Sequence, residues 1–344
     1  MSEPLLEAED LTIQYETKDG MLTAVSNASF TIEPSQFLGL AGESGSGKST
    51  LAKGIIGGLD DNGEVASGTI RYKGREIQGL TDKQLSEELR WTEISWIPQG
   101  SMNSLDPLQR VIDQALEIAD VHTDLEESEA RDKFKELFEI VGLQGSRIDD
   151  YPHQFSGGMQ QRAIIALALF LDPDLIIADE PTTALDVIMQ DQIFKYLDKV
   201  KGEDTSLLLI THDISVIFES CDTVAIMHAS QIAERGTVSD VYESPRHPYA
   251  ILFKDAFPDI REPDRELQII EGHPPQLLGE VDHCSFVERC PWAAEECREK
   301  APPLETVEDG GDGQYASCFR KDEAHREYNR DDFELAAAKK GRSD

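Results

Sequence analysis

The chain is short of positive charge: 32 Lys+Arg stand against 67 Asp+Glu in 344 residues, a formal net charge of −35. That balance excludes cohesive binding to nucleic acid, which needs clustered Lys and Arg against phosphates. An anionic membrane surface would repel the chain for the same reason. No apolar run approaches the roughly 18 residues of a membrane-spanning helix. Met1 to Asp10 is acidic and lacks the basic and apolar regions of a secretory signal, so none is expected. Five cysteines are too few for a disulfide scaffold. What is present is ample for a buried core: 39% of residues are hydrophobic, and the length suggests two domains or one large domain with an appendage. The acid excess reads as a surface that stays hydrated in concentrated salt, where a Debye length of about 3 Å at 1 M screens self-repulsion. The expectation is the cytosol of a salt-adapted organism.

Residues 5–40 alternate apolar and polar positions around turn signals such as Lys18-Asp19-Gly20, and predict short strands. Leu38-Gly39-Leu40-Ala41 predicts a short strand ending in a glycine-rich turn, with a helix from Ser49 to Ile56. Further strands are expected at 68–72, 175–178 and 207–210, and helices at 160–170 and 187–200. This alternation predicts an α/β fold with a parallel sheet. A charged, largely helical stretch at about 80–165 reads as an insertion. Proline-rich segments, among them His273-Pro274-Pro275, put a domain boundary near 240–260. The expected divisions are 1–240, 241–325 and a charged, fraying tail over 326–344.

Two motifs carry chemistry. Gly42-Glu43-Ser44-Gly45-Ser46-Gly47-Lys48-Ser49 fits the G-x-x-x-x-G-K-[ST] phosphate loop and stands between a strand and a helix, as that loop requires. Its glycines let successive N–H groups turn toward phosphate oxygens, and the helix N-terminus adds its positive end. Lys48 would reach the β- and γ-phosphates, and Ser49, followed by Thr50, would place a hydroxyl on Mg²⁺. Leu175-Ile176-Ile177-Ala178-Asp179-Glu180 is an apolar strand ending in two carboxylates. Asp179 can hold the Mg²⁺ shell, and Glu180 can orient or deprotonate an attacking water.

Between them lies Phe155-Ser156-Gly157-Gly158-Met159 followed by Gln160-Gln161-Arg162. Here the chain resembles the ATP-binding subunits of ABC transporters, whose signature is Ser-Gly-Gly at this place. Met159 stands where Gln is common and Phe155 where Leu is usual. The first departure resembles the oligopeptide/dipeptide importer branch. Gln99 in Trp96-Ile97-Pro98-Gln99 resembles the Q-loop, and 101–107 resembles the segment that follows it in that branch. Asp186 resembles the D-loop aspartate, His212 the switch histidine, and Tyr15 the aromatic that stacks on adenine.

The resemblance implies a P-loop NTPase with a RecA-like parallel sheet, an antiparallel β subdomain and a helical insertion, plus a small C-terminal cysteine-bearing domain. It implies ATP and Mg²⁺ as ligands, with Ser49, Gln99 and Asp179 around the metal. It also implies a dimer in which Ser156, Gly157 and Gly158 of one subunit close on the γ-phosphate held by the other. Implied partners are two transmembrane permease subunits, a second ATPase subunit (a paralogue rather than an identical chain) and, indirectly, an extracellular solute-binding protein. No nucleic-acid partner is expected. The implied place is the cytoplasmic face of the membrane. Alternatives are a soluble ABC ATPase without a transport role and an importer of the same branch for nickel or another small solute. A soluble translation type would carry two phosphate loops, and a repair type a longer insertion.

Cys284, Cys290, Cys297 and Cys318 fall in one C-terminal stretch, and four thiolates could hold zinc or an iron–sulfur cluster. No C-x2–4-C zinc knuckle is present, and the resemblance implies a [4Fe–4S] cluster, with Zn²⁺ as the alternative. Cys221 reads as a small packing residue.

Overall fold

The computed structural model describes residues 3–100, 104–182, 185, 189–190, 193–195, 205–257, 270–275, 277–279, 281–308 and 313–329. In chain order, β1 (Leu6–Thr17) and β2 (Gly20–Ile32) form a hairpin, followed by β3 (Phe37–Ala41), α1 (Lys48–Ile55), β4 (Gly63–Tyr72) and β5 (Arg75–Glu76). Next come α2 (Asp82–Glu88), β6 (Ile94–Ile97), α3 (Val111–His122), α4 (Glu127–Ile140), α5 (Gly157–Ala168) and β7 (Leu175–Asp179). The chain continues through β8 (Ser206–Ile210), α6 (Ile214–Ser220), β9 (Thr223–His228), β10 (Gln231–Thr237), α7 (Val238–Glu243) and α8 (Pro248–Asp255). It closes with α9 (Glu296–Glu299), β11 (Glu305–Thr306), β12 (Tyr315–Ala316) and α10 (Lys321–Tyr328).

Two sheets result. An antiparallel sheet runs β2-β1-β4-β5, and a larger sheet runs β11-β12-β10-β9-β3-β8-β7-β6. Within the larger sheet β9, β3, β8, β7 and β6 are mutually parallel. Strands covered on both faces must be apolar throughout, and β3, β7 and β8 are buried at every position. One core lies between the two sheets and around α1, with Leu11, Ile13, Leu51, Ile177 and Leu208 in it. The other joins the opposite face of the main sheet to the helical run through Phe134, Phe138 and Phe170. The Phe134 ring lies 5.0 Å from Phe138 and 5.5 Å from Phe170, centroid to centroid. Among the described residues, buried carboxylates are confined to Asp179, Glu234 and Asp255, so the acid excess sits at or near the surface.

The α/β architecture follows the sequence expectation, with two differences. The helical insertion was expected from about residue 80, but Ile94–Ile97 is a strand paired in parallel with Leu175–Ala178. Only four residues long, it has no room to show its alternation amid charged neighbours. The helical run proper starts at Val111. The C-terminal region, expected as a small separate domain, instead lends β12 and β11 to the edge of the main sheet through Glu234–Ala316 and Arg235–Tyr315.

That region also packs through rings. His228 stands 4.6 Å from Tyr249 and 5.1 Å from Phe286, and His247 stands 6.1 Å from Phe286, between centroids. Burial holds both imidazoles neutral, with pKa values lowered to about 3. The folded state therefore binds fewer protons than the unfolded chain between pH 3 and an unfolded value of about 6.5, so stability is lost as pH falls below about 6.5. On the order of 2 kcal/mol for each histidine should be gone by pH 5. His247 also caps α8 by accepting from Tyr249 N–H at 3.0 Å. His247→Asn keeps a capping acceptor without the titration and should give a shallower fall of Tm between pH 7 and pH 5 than the parent chain. Parallel curves would contradict the assignment.

Candidate active site

The C-terminal ends of β3, β8 and β7 are adjacent, and each carries one part of the site. In open parallel sheets ligands bind at this edge. The phosphate loop leaves β3 at Gly42, with φ 149°, and enters α1 through Gly47, with φ 103°. A Cβ on Gly42 would lie 2.2 Å from the Met227 carbonyl oxygen, and one on Gly47 would lie 2.1 Å from that of Ala24. Both glycines are therefore set by backbone approach as well as by φ. The loop is fixed from below: Ser230 N–H donates to Ser46 O at 3.0 Å, and Ser46 N–H to Glu43 O at 3.2 Å.

Lys48 is buried and folded back onto its own loop. Its Nζ donates to Gly42 O at 2.8 Å, Glu43 O at 2.9 Å and Ser46 Oγ at 3.3 Å. Burial lowers its pKa, opposed by the nearby charges of Glu180, Asp179 and Glu43. Asp179 ends β7 at 2% exposure. Burial raises its pKa, while the Ser49 hydroxyl and the Lys48 charge draw it down. Its Oδ1 is buried without a hydrogen-bond partner. An unpaired carboxylate oxygen beside the Ser49 hydroxyl suits a hard, oxygen-liganded cation such as Mg²⁺.

Glu180 follows in the left-handed region, φ 50°, a conformation that costs a non-glycine residue energy and recurs at functional sites. Its Oε1 lies 3.1 Å from Nδ1 of His212, two residues beyond the end of β8. The switch-like histidine and the second carboxylate are thus one hydrogen-bonded pair. The backbone after Asp179 is tied to the signature helix, since Gln161 Nε2 donates to Pro181 O at 2.6 Å.

Above the loop opens a pocket of about 540 Å³. Of the residues expected at the site, Tyr15, Ser44, Gly45, Gly47, Lys48, Ser49, Thr50, Gln99 and Glu180 line it. Gly42, Ser46 and Asp179 are buried and do not line it. Ser156, Gly157 and Gly158 are not among the lining residues. They form the start of α5, where Ser156 is exposed and its hydroxyl makes no capping bond. Asp186 and residues 101–103 lie outside the described residues. Sequence reasoning missed part of the wall: Leu22, Thr23 and Ala24 of β2, Ser230, and His273, Pro274, Pro275 and Leu277. The proline-rich piece read as a boundary marker returns to β2, with Thr23 N–H donating to Leu277 O at 2.9 Å. No local signal distinguishes such a return from a linker.

The family described as ABC transporter matches residues 25–183, and the oligopeptide/dipeptide transporter C-terminal region matches residues 233–297. The oligopeptide transport ATP-binding protein OppD of Salmonella typhimurium is 41% identical over 92% of this chain and 93% of its own. This chain belongs to the ATP-binding subunits of the oligopeptide/dipeptide ABC transporter family. The dipeptide transport ATP-binding protein DppD of Haemophilus influenzae is 36% identical over 88% of this chain and 92% of its own. Among solved structures, the dimeric ATP-binding cassette MJ0796 in a post-hydrolysis state with ADP and Pi gives a TM-score of 0.62. It is 27% identical and covers 68% of this chain and 98% of that one. Family membership makes the chain an ABC-type ATPase, with ATP and Mg²⁺ as ligands. Among the described residues, no helix is long and apolar enough to cross a membrane.

The cysteine expectation is corrected. Cys284, Cys290, Cys297 and Cys318 do share one small pocket with Phe286 and Trp292. Among the described residues, however, no group of three or more His, Cys, Asp or Glu side chains is arranged to hold a metal ion. The OppD relatives are named for ATP binding and oligopeptide transport alone. Burial pushes the Cys284 and Cys318 thiols up, and the apolar rings of Phe286 and Trp292 line the space between the four. The four are free thiols, with Cys284 and Cys290 packed against the main core. The [4Fe–4S] cluster is not supported, and neither is the zinc alternative.

Gly47→Ala should damage the loop itself. A Cβ against a carbonyl at positive φ should cost on the order of 2 kcal/mol and weaken nucleotide binding. An unchanged Tm with unchanged nucleotide affinity would show that the loop has room the geometry denies it.

Proposed function

We propose that this chain is the ATP-hydrolysing subunit that powers an importer of di- and oligopeptides. The observation that carries this reading is the meeting of Lys48, Asp179 and the Glu180–His212 pair at one sheet edge. The two family matches and the names of the relatives support the peptide class over nickel or another solute.

Lys48 would exchange the Gly42 and Glu43 carbonyls for β- and γ-phosphate oxygens, and the loop amides would take the rest of the triphosphate charge. Tyr15 would stack on the adenine. Ser49, Asp179 and Gln99 would hold Mg²⁺, which when bound neutralises charge developing on the phosphate oxygens. Glu180 would orient water toward the γ-phosphate and His212 would fix the Glu180 carboxylate. Ser156, Gly157 and Gly158 start a helix with no side-chain cap, which suits them to close on the γ-phosphate held by a second ATPase subunit, and Asp186 would serve as the D-loop aspartate. ATP then holds two subunits together, and hydrolysis loosens them.

Residues 1–240 form the ATPase unit in this reading, 241–325 its C-terminal region and 326–344 the tail. The partners are two permease subunits, a paralogous ATPase and, through the permease, a solute-binding protein. The chain works at the cytoplasmic face. A groove of about 470 Å³ edged by Ile56, Trp91, Ile94 and Trp96 suits a permease loop. It lies against β6, which ends two residues before Gln99, so a loop seated there would act on the strand that leads to Gln99.

Glu180→Gln should keep ATP affinity, cut steady-state hydrolysis by about 100-fold or more and trap an ATP-bound dimer. Hydrolysis at the parental rate would remove Glu180 from its role. Affinity purification should bring down two membrane subunits, and peptide should stimulate the ATPase of that complex. Recovery with ribosomes instead would overturn the importer reading.

A further inference from the structure

Glu43, the second residue of the phosphate loop, is held by a residue 246 positions away. Arg289 donates through Nη1 to Glu43 Oε2 and through Nη2 to Glu43 Oε1, both at 2.8 Å. The Arg289 side chain is 8% exposed and that of Glu43 25%. Two parallel bonds from a planar guanidinium fix orientation as well as distance, which a lysine cannot do. The remaining contacts of Arg289 are also directional. Its Nε donates to Glu271 O at 2.9 Å. Its Nη1 lies 3.2 Å from His228 Nε2. A guanidinium only donates, so this ring nitrogen accepts and Nδ1–H donates to Ser285 Oγ at 3.1 Å.

Two of these contacts, to Glu43 and to Glu271, lead to the nucleotide pocket. The carbonyl of Glu43 receives the Lys48 ammonium, and its N–H donates to Tyr249 Oη at 3.0 Å. Glu271 opens the segment whose His273, Pro274, Pro275 and Leu277 form the outer wall of the pocket. That wall is pinned at its far end, where Thr23 Oγ1 donates to Gly279 O at 2.6 Å and Gly279 N–H to Met21 O at 2.8 Å.

We propose that Arg289 is a positioning residue of the ATP site: it sets the phosphate loop through Glu43 and the outer wall through Glu271, making the C-terminal region a working part of that site. The proposal rests on the ATP reading of the pocket. Truncating the guanidinium would free the Glu43 carboxylate beside the incoming triphosphate and release the wall together. The effect belongs on nucleotide affinity and KM, not on the chemical step, because Arg289 is not placed to touch the phosphates that react.

The test compares Arg289→Ala, Arg289→Lys, Glu43→Gln and the Arg289→Ala/Glu43→Gln pair. The full chain is titrated with a fluorescent ATP analogue, and the complex purified with its permease subunits supplies steady-state kinetics. Arg289→Ala should raise Kd and KM for MgATP about tenfold, with kcat within about twofold. Arg289→Lys should recover only part of this, and the double variant should be no worse than Arg289→Ala, since both remove one contact. An unchanged Kd and KM in Arg289→Ala, whether or not Tm falls, would overturn the proposal, as would fully additive losses. Should Arg289→Ala fail to fold, Glu43→Gln decides alone by the same Kd and KM. Lys48→Ala is the control: normal nucleotide affinity there would sink the ATP reading itself, whereas lost affinity there with a normal Arg289→Ala would sink only the positioning role.

Discussion

A buried ammonium organises this molecule. Lys48 sits at the head of α1 with its Nζ on the Gly42 and Glu43 carbonyls, and Asp179 and Glu180 stand near enough to oppose the loss of its proton to burial. A charge removed from water is tolerated only when paired and hydrogen-bonded. The partners must therefore come from strands that end at the same edge, and the order β3-β8-β7 provides this. The loop follows β3, His212 follows β8, and the two carboxylates terminate β7. The apolar sequence of these strands is what keeps them central, covered on both faces, and so what keeps the edge in register.

That dependence accounts for the strain concentrated there. Glu180 adopts φ 50° because Asp179 must stay in the strand with its carboxylate inward while the next side chain turns to His212. The glycines at 42 and 47 answer the same demand from the other side, letting the loop pass under Met227 and Ala24 carbonyls. Phosphate recognition by backbone amides needs no basic surface, so an acidic protein can hold a polyanion. The carboxylate excess lies at or near the surface, and the positive charge at the site is local.

The C-terminal region shares the same framework. It extends the main sheet by β12 and β11, packs Phe286 against His228 and Tyr249, and sends Arg289 to the phosphate loop. Glu234 illustrates the join. This fully buried carboxylate of β10 accepts from Arg246 and His247 N–H groups and from Gln314 Nε2. Burial raises its pKa to about 7 against the pull of those donors. The four cysteines lie in this packing as thiols rather than as ligands. Their spacing alone was compatible with a metal, and only their arrangement in the structure speaks against it.

The phosphate loop, the acidic strand, the signature helix start and the parallel α/β class were legible because each is written in consecutive residues: glycines where φ is positive, an apolar run where both faces are covered, a carboxylate where the run stops. Ile94–Ile97 was not legible, since four residues among charged neighbours carry no period and the strand exists only by pairing with β7. The wall at 273–277 was not legible either, because prolines announce an extended chain without saying what it lies against. Nor was the Arg289–Glu43 pair, whose members are 246 residues apart in a chain with carboxylates to spare. The sequence by itself determined the local backbone and the chemistry of the loop and strand ends. Only the tertiary structure decided which distant side chains meet them, because those contacts are set by sheet order and burial, and neither is a property of neighbouring residues.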